Sequence, residues 1–198
     1  MSVNILPIVE GKSEVESVPV LLRRLLHQFE AYEVSIAHPF LIKRYKFVKE
    51  GELERSVKVA LRIRKEISAV VVLLDADDDP PEALANDLAE RVQRCSQLPF
   101  FVSIAAREIE AWFLGAKESL RAVRNIRNDA VSPSDPESIR DAKGYLSRNM
   151  AGSYRYISVD DQPALAAEFD ISAARRKCTS FELFCSQLKD LLCTISHR

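Results

Sequence analysis

Hydrophobic positions along the chain alternate between two periods. Residues 3–9 (VNILPIV) are a short apolar run that ends at Glu10-Gly11 and reads as a strand. From Ser13 to about Glu30, Val18, Leu21, Leu22, Leu25, Leu26 and Phe29 recur at helical spacing, with Pro19 expected to mark a first-turn irregularity. Residues 32–37 suit a second strand, and 38–50 a basic loop with or without a short strand of its own. A helix follows over 52–67, with Leu53, Val57, Ala60, Leu61, Arg64 and Ile67 along one face. Residues 69–74 (AVVVLL) are continuously apolar, the mark of a central strand covered on both faces. Pro80 and Pro81 open a helix over 82–96, residues 100–105 make another strand, and REIEAWFLG (107–115) is a short helix that stops at Gly115.

Strand and helix in alternation predict an α/β fold, a mostly parallel sheet flanked by helices. Beyond residue 116 the strand signal disappears. DAVSPSDPES (129–138) is a loop, and 137–150, 161–176 and 180–196 read as helices. In the last of these Phe181, Phe184, Leu188, Leu191, Leu192 and Ile195 form a core stripe, and Thr179 with Glu182 makes a capping box. The expected organisation is a core over 1–115 and a helical extension over 116–198 packed on it.

Composition narrows the class. The 198 residues are 47% hydrophobic and 29% charged with net charge −1, which describes an ordinary globular chain. The apolar runs are too short to span a membrane, and MSVNILPIVEG lacks the basic start of a signal peptide, so a cytoplasmic address is expected. Cys95, Cys178, Cys185 and Cys193 show no CxxC spacing, and Cys185 lies in the stripe of the last helix as a reduced, buried thiol. His27, His38 and His197 are scattered without ligand spacing.

Acidic residues gather where strands end. Glu10 and Glu14 follow the first strand, Asp75, Asp77, Asp78 and Asp79 the central one, and Glu108 and Glu110 the strand at 100–105. In an open α/β sheet ligands bind outside the carboxyl ends of the strands. Carboxylates crowded there repel unless a cation neutralises them, and hard oxygen donors suit Mg²⁺ or Mn²⁺. Each group also has an ordinary structural role to weigh. Asp79 before Pro80 suits a helix N-cap, Asp78 suits a helix N-terminus, and Glu14 suits a first helical turn. Asp77 lies two residues beyond Asp75 and is expected on the same side. Glu108 and Glu110 are i, i+2, so in a regular helix only one of them faces any single point. Trp112 and Phe113 read as core anchors.

The DxD in LLDADDD is similar to that of haloacid-dehalogenase phosphatases, where it follows the first strand, and to that of glycosyltransferases. As a whole, IVEGKSE after the first strand and VVVLLDADDD some sixty residues later resemble the Toprim domain, the catalytic fold of topoisomerases, bacterial primases and OLD-type nucleases. Glu10-Gly11-x-x-Glu14 with AREIEAWFLG downstream is most like the OLD-type nucleases and a set of small Toprim-like bacterial proteins, which share a later AKGYL, here 142–146. The resemblance implies a Toprim-like (Rossmann-like) fold and a two-metal nuclease site. In it Glu10, Asp75 and Asp77 hold Mg²⁺ or Mn²⁺, Glu14 and one of Glu108 and Glu110 assist, and Lys143 stabilises charge on phosphorus. The chain departs from OLD-type proteins in carrying no Walker motif, so an ATPase partner would be a separate chain.

Charge is unevenly distributed. Residues 43–65 hold nine Lys or Arg against three Glu, a local charge of +6. Tyr45 and Phe47 are interleaved with Lys43, Arg44, Lys46 and Lys49, which gives phosphate contacts beside rings able to stack on bases. Arg121, Arg124 and Arg127 suggest a second basic stripe, and Arg175, Arg176 and Lys177 complement a helix C-terminus. Both basic stretches also read as solvated faces. The expectation is an Mg²⁺-dependent phosphodiesterase acting on DNA or RNA, in phage defence or DNA repair. The alternatives are a non-catalytic nucleic-acid or protein-binding module of a larger assembly, and a phosphatase on a small substrate.

Overall fold

A computed structural model describes residues 3–196, so His197 lies outside the described residues. The strands are β1 (Val3–Val9), β2 (Val34–Ile36), β3 (Phe40–Leu41), β4 (Ala69–Asp75) and β5 (Phe100–Ala105). The helices are α1 (Lys12–Gln28), α2 (Arg44–Val48), α3 (Glu52–Ile63), α4 (Pro81–Cys95), α5 (Glu110–Gly115), α6 (Ala142–Arg148), α7 (Ser158–Glu168), α8 (Ile171–Lys177) and α9 (Thr179–Ser196).

The sheet runs β2-β1-β4-β5, with β3 also pairing β1, and these pairings are all parallel. Every strand therefore delivers its carboxyl end to the same edge. Pro7 sits inside the central β1, where a missing N–H would normally break a ladder. The chain avoids the conflict by interrupting the neighbouring strand. β2 pairs with β1 only up to Ile5↔Ile36, and β3 resumes at Ile8↔Phe40. Side chains alternate strictly along β4. Val71 and Leu73 face a core shared with α1, α5 and the C-terminal helices, while Val70, Val72 and Leu74 face α3 and α4. The first of these cores holds Trp112, whose ring centroid lies 4.8 Å from Phe181 and 5.4 Å from Phe184, so residues on both sides of position 115 share one apolar interior.

Several boundaries differ from the sequence pattern for physical reasons. The second strand shrinks to three residues, and Tyr32 is exposed. The basic loop at 38–50 contains both β3 and the short α2. Pro19 lies well inside α1, which continues across it. The helix expected over 107–115 begins at Glu110, because Asp75 Oδ1 accepts the Ile109 N–H at 2.8 Å and holds the preceding turn open. The helix expected over 137–150 is a 3₁₀ turn at Pro136–Ser138 followed by α6. The one expected over 161–176 breaks between α7 and α8, where Phe169 is fully buried and the Asp170 carboxylate caps the Ala173 N–H at 2.9 Å. The capping box at Thr179 does not form. Glu182 pairs with Arg175 instead, and the N–H groups of Thr179 and Ser180 are taken at 2.9 and 3.0 Å by Glu137 from a distant loop. Asp79 does not cap α4 either, because its carboxylate is held by Arg44. Arg121, Arg124 and Arg127 form no stripe. Their segment is 3₁₀ and left-handed turns, and each side chain bonds separately, to the Ala130 carbonyl, Asp161 and Asp129. Cys178 and Cys185 are buried free thiols, both pushed up to about 12 by burial. No described helix is long and apolar enough to cross a membrane.

Candidate functional site

The parallel sheet brings Glu10 and Asp75 together. Glu10 is the first residue beyond β1 and Asp75 the last of β4, and the Asp75 N–H donates to Glu10 Oε1 at 3.1 Å. Glu14, in the first turn of α1, folds back over the same strand end. A Cβ on Gly11 would lie 2.0 Å from Glu14 Oε2, so the position requires glycine for Glu14 to approach this closely. Asp75 is half-buried, and its carboxyl is held well above the ordinary range, first by desolvation and then by the charges of Glu110 and Glu10. Glu10 is also raised by burial, against the opposing pull of the Asp75 N–H and of Arg44.

Glu108 and Glu110 both face the site. The objection from helical spacing fails because Glu108 precedes α5 and is not helical. Lys143 Nζ, from α6, lies 2.7 Å from Glu108 Oε1 and 3.5 Å from Glu110 Oε2. Glu108 Oε2 also accepts the Ala142 N–H at 2.9 Å, which seats the start of α6. Burial alone would lower the lysine, but Glu110, Glu108 and Asp75 outweigh it and hold the ammonium above its ordinary value. Glu110 has no exposed surface, and burial raises it despite Lys143.

Asp77 does not share the interior with Asp75. The chain turns sharply after β4, Asp77 adopts a left-handed φ of 52°, and its side chain is 63% exposed. Its N–H donates to the carbonyl of Arg107, itself left-handed at φ 62°, a conformation that costs a non-glycine residue on the order of 1 kcal/mol. Asp77 thus stands on the rim. Arg44, expected among the phosphate contacts, is folded onto the same loop. Its guanidinium donates to the Asp75 and Ala76 carbonyls and to Asp79, and its Nη1 lies 3.6 Å from Glu10 Oε2. Asp78 accepts from Arg107 at 3.0 Å and Arg140 at 3.1 Å.

Lys43 and Lys49 are exposed and Lys46 is half-buried, all on or beside α2. Tyr45 is 62% exposed, but Phe47 is fully buried in the core under α3, so only one of the two aromatics is available for stacking.

Four further side chains in or around the site are not singled out by the sequence pattern. Arg107 and Arg140 sit in loops. Tyr156 donates to Glu110 Oε1 at 2.9 Å, and Gln162 Nε2 lies 3.2 Å from both Glu14 Oε1 and Glu110 Oε1. The one legible sign of Gln162 is a polar residue on the face of α7 that carries the buried Leu165 and Ala166.

Among the described residues no three acidic, His or Cys side chains are drawn into a ready-made metal cage. The donor chemistry nevertheless fits a hard divalent cation. Glu10, Glu14 and Glu110 each have Oε1 hydrogen-bonded by the protein, and each leaves Oε2 buried without a hydrogen-bond partner. Unpartnered buried carboxylate oxygens are costly, and a cation relieves that cost.

Two solved structures of the C-terminal region of the Xanthomonas campestris pv. campestris OLD protein are similar to this chain. One, phased with iodine, is 16% identical with a TM-score of 0.48 over 98% of each chain. The other, phased with mercury, is 15% identical with a TM-score of 0.40 over 92% of this chain and 96% of that one. No curated protein matches. A family model described as a domain of unknown function, DUF4276, matches residues 9–189, and the chain belongs to that family.

Proposed function

We propose that the protein is a Toprim-like, Mg²⁺- or Mn²⁺-dependent phosphodiesterase acting on DNA or RNA. The observation that carries this reading is the set of three carboxylates, Glu10, Glu14 and Glu110, each with one oxygen fixed by the protein and the other buried without a hydrogen-bond partner. With Asp75 they would hold the cation, and the exposed carboxylate of Asp77 on the rim would add negative charge beside it. Ions of this kind supply Lewis acidity toward a phosphoryl oxygen and neutralise its charge. Lys143, held between Glu108 and Glu110, would then face the charge that develops on the phosphate. Lys43, Lys46 and Lys49 would hold the nucleic-acid backbone beside the site, with Tyr45 available to stack on a base. The test is cleavage of single- and double-stranded DNA and RNA with Mn²⁺ and with Mg²⁺ by the native protein and by Asp75→Asn. The variant should lose at least about a hundredfold in rate, an electrostatic loss of the usual size.

One observation favours a second reading. Lys143 and Arg44 already lie against the cluster, so the protein carries its own counter-ions. A non-catalytic nucleic-acid or protein-binding module would need no more than that. Tight binding without hydrolysis under every cation would select it.

A further inference from the structure

Gln162 belongs to the C-terminal helices, far in sequence from the acidic residues at the strand ends. It has no exposed surface. Its carbonyl Oε1 accepts from Ser17 Oγ at 2.6 Å, and Ser17 is itself buried in α1. The carboxylates fix the amide's orientation, because reversing it would press the carbonyl oxygen against both of them, and Ser17 anchors the amide from the other side. The amide nitrogen therefore points at Glu14 Oε1 and Glu110 Oε1, 3.2 Å from each. Tyr156 adds a second donor to the same Glu110 oxygen at 2.9 Å. In both carboxylates the atom left over is Oε2, buried and without a hydrogen-bond partner.

We infer that Gln162 is the positioning residue of the cation site. One amide group bridges two carboxylates from different elements, Glu14 on α1 and Glu110 on α5. It binds Oε1 of each and leaves Oε2 of each for a cation. One donor group thus holds the two carboxylates at a fixed separation. The helices beyond residue 115 are then a functional part of the site, because they supply Gln162, Tyr156 and Lys143. This inference rests on the cation-dependent reading above.

The experiment is Mn²⁺ binding by calorimetry, together with the Mn²⁺-induced rise in melting temperature, on the full chain. The proteins compared are the native one, Gln162→Met and Ser17→Ala. Methionine keeps the volume and removes both donors. Outer-shell partners of this kind are worth about 10- to 100-fold in metal affinity, so Gln162→Met should bind Mn²⁺ at least about tenfold more weakly and show a smaller thermal increment. Ser17→Ala, which removes the amide's anchor on the side away from the carboxylates, should fall between the two. A purely structural role predicts something else: a lower melting temperature with and without Mn²⁺, and an unchanged increment. That result overturns the inference and leaves the cation reading intact. Native protein that takes up no Mn²⁺ removes the cation reading and the inference with it. If Gln162→Met does not fold, Ser17→Ala decides, and native-like Mn²⁺ affinity in that variant counts against the inference.

Discussion

The N–H of Asp75 donates to the carboxylate of Glu10 at 3.1 Å, across the ends of two adjacent parallel strands. This single bond ties the two residues the sequence marks most clearly, and it shapes what a cation should do to stability. Oε1 of Glu10 is committed to the backbone, so Oε2 is the atom available to a ligand. Mn²⁺ or Mg²⁺ should raise the melting temperature, because a ligand at a hundred times its dissociation constant stabilises by about 2.7 kcal/mol. Glu10→Ala and Asp75→Asn should each remove most of that rise, read by thermal melts in EDTA and in Mn²⁺.

Acidity should stabilise the metal-free protein. Burial holds Glu10, Asp75 and Glu110 above the ordinary carboxylate range. Acids raised in the folded state bind protons on folding. Their contribution is complete below the unfolded value of about 4.3 and is lost as pH rises through the raised one. Stability in EDTA should therefore increase as pH falls from about 7 to about 5, by on the order of 1 kcal/mol per unit for each group titrating. Glu54, lowered by Arg91, and Glu118, lowered to about 2 by the Ser132 hydroxyl and N–H against a partial desolvation, act in the opposite sense. They contribute above the unfolded value and lose that contribution in more acid solution, so a maximum is expected. Mn²⁺ should flatten the profile, since proton and cation compete for the same oxygens. Melts at several pH values with and without Mn²⁺ measure this.

Lys143→Met should expose the repulsion that the ammonium now offsets. Its Nζ sits between Glu108 and Glu110 and is partly exposed, so screening reduces the loss to about 1–2 kcal/mol in EDTA. The divalent-ion increment in melting temperature should grow in the same variant, because the cation then meets more uncompensated charge. An increment equal to that of the native protein would place the lysine outside the electrostatics of the site.

Much of this was legible in the sequence, and what was not has identifiable causes. Strand ends announce themselves by an apolar run meeting a carboxylate, so Glu10 and Asp75 were readable from residues 3–10 and 69–75. Parallel topology followed from alternating periods and then placed both residues on one edge. Turns erase such signals. Strand alternation puts Asp77 beside Asp75, but the alternation ends where the backbone turns left-handed. Helical spacing lets only one of Glu108 and Glu110 face a single point, but Glu108 lies outside the helix. Long-range partners leave little trace, and Glu137 capping α9 in place of Glu182 is such a case. Glu137→Ala should consequently cost about 1 kcal/mol, the usual worth of an N-terminal cap, and more than Glu182→Ala, whose pair with Arg175 is partly solvent-exposed and screened. Denaturant melts of the two variants compare them directly.

The basic segment separates binding from chemistry. Arg44 is spent on the Asp75–Asp79 loop, whereas Lys46 and Lys49 lie beyond it on and after α2 without acidic partners among the described residues. Lys46→Glu with Lys49→Glu should therefore weaken nucleic-acid binding and make it less sensitive to salt, since fewer phosphates release counterions. The cation site should be untouched, with the Mn²⁺ increment in melting temperature unchanged. Arg44→Ala should do the reverse. It frees the loop, leaves Glu10 and Asp79 without their cation, and lowers the melting temperature in EDTA, while the salt slope of binding changes little. Asp75→Asn should keep native-like affinity for the oligonucleotide, or gain slightly, because it subtracts a charge that repels phosphate. Fluorescence anisotropy on single- and double-stranded DNA and RNA, over a range of salt, measures all three variants. If the lysine variant binds every substrate as the native protein does, α2 is a solvated surface. The case for a nucleic-acid substrate would then rest on the acidic site and on the resemblance of its motifs.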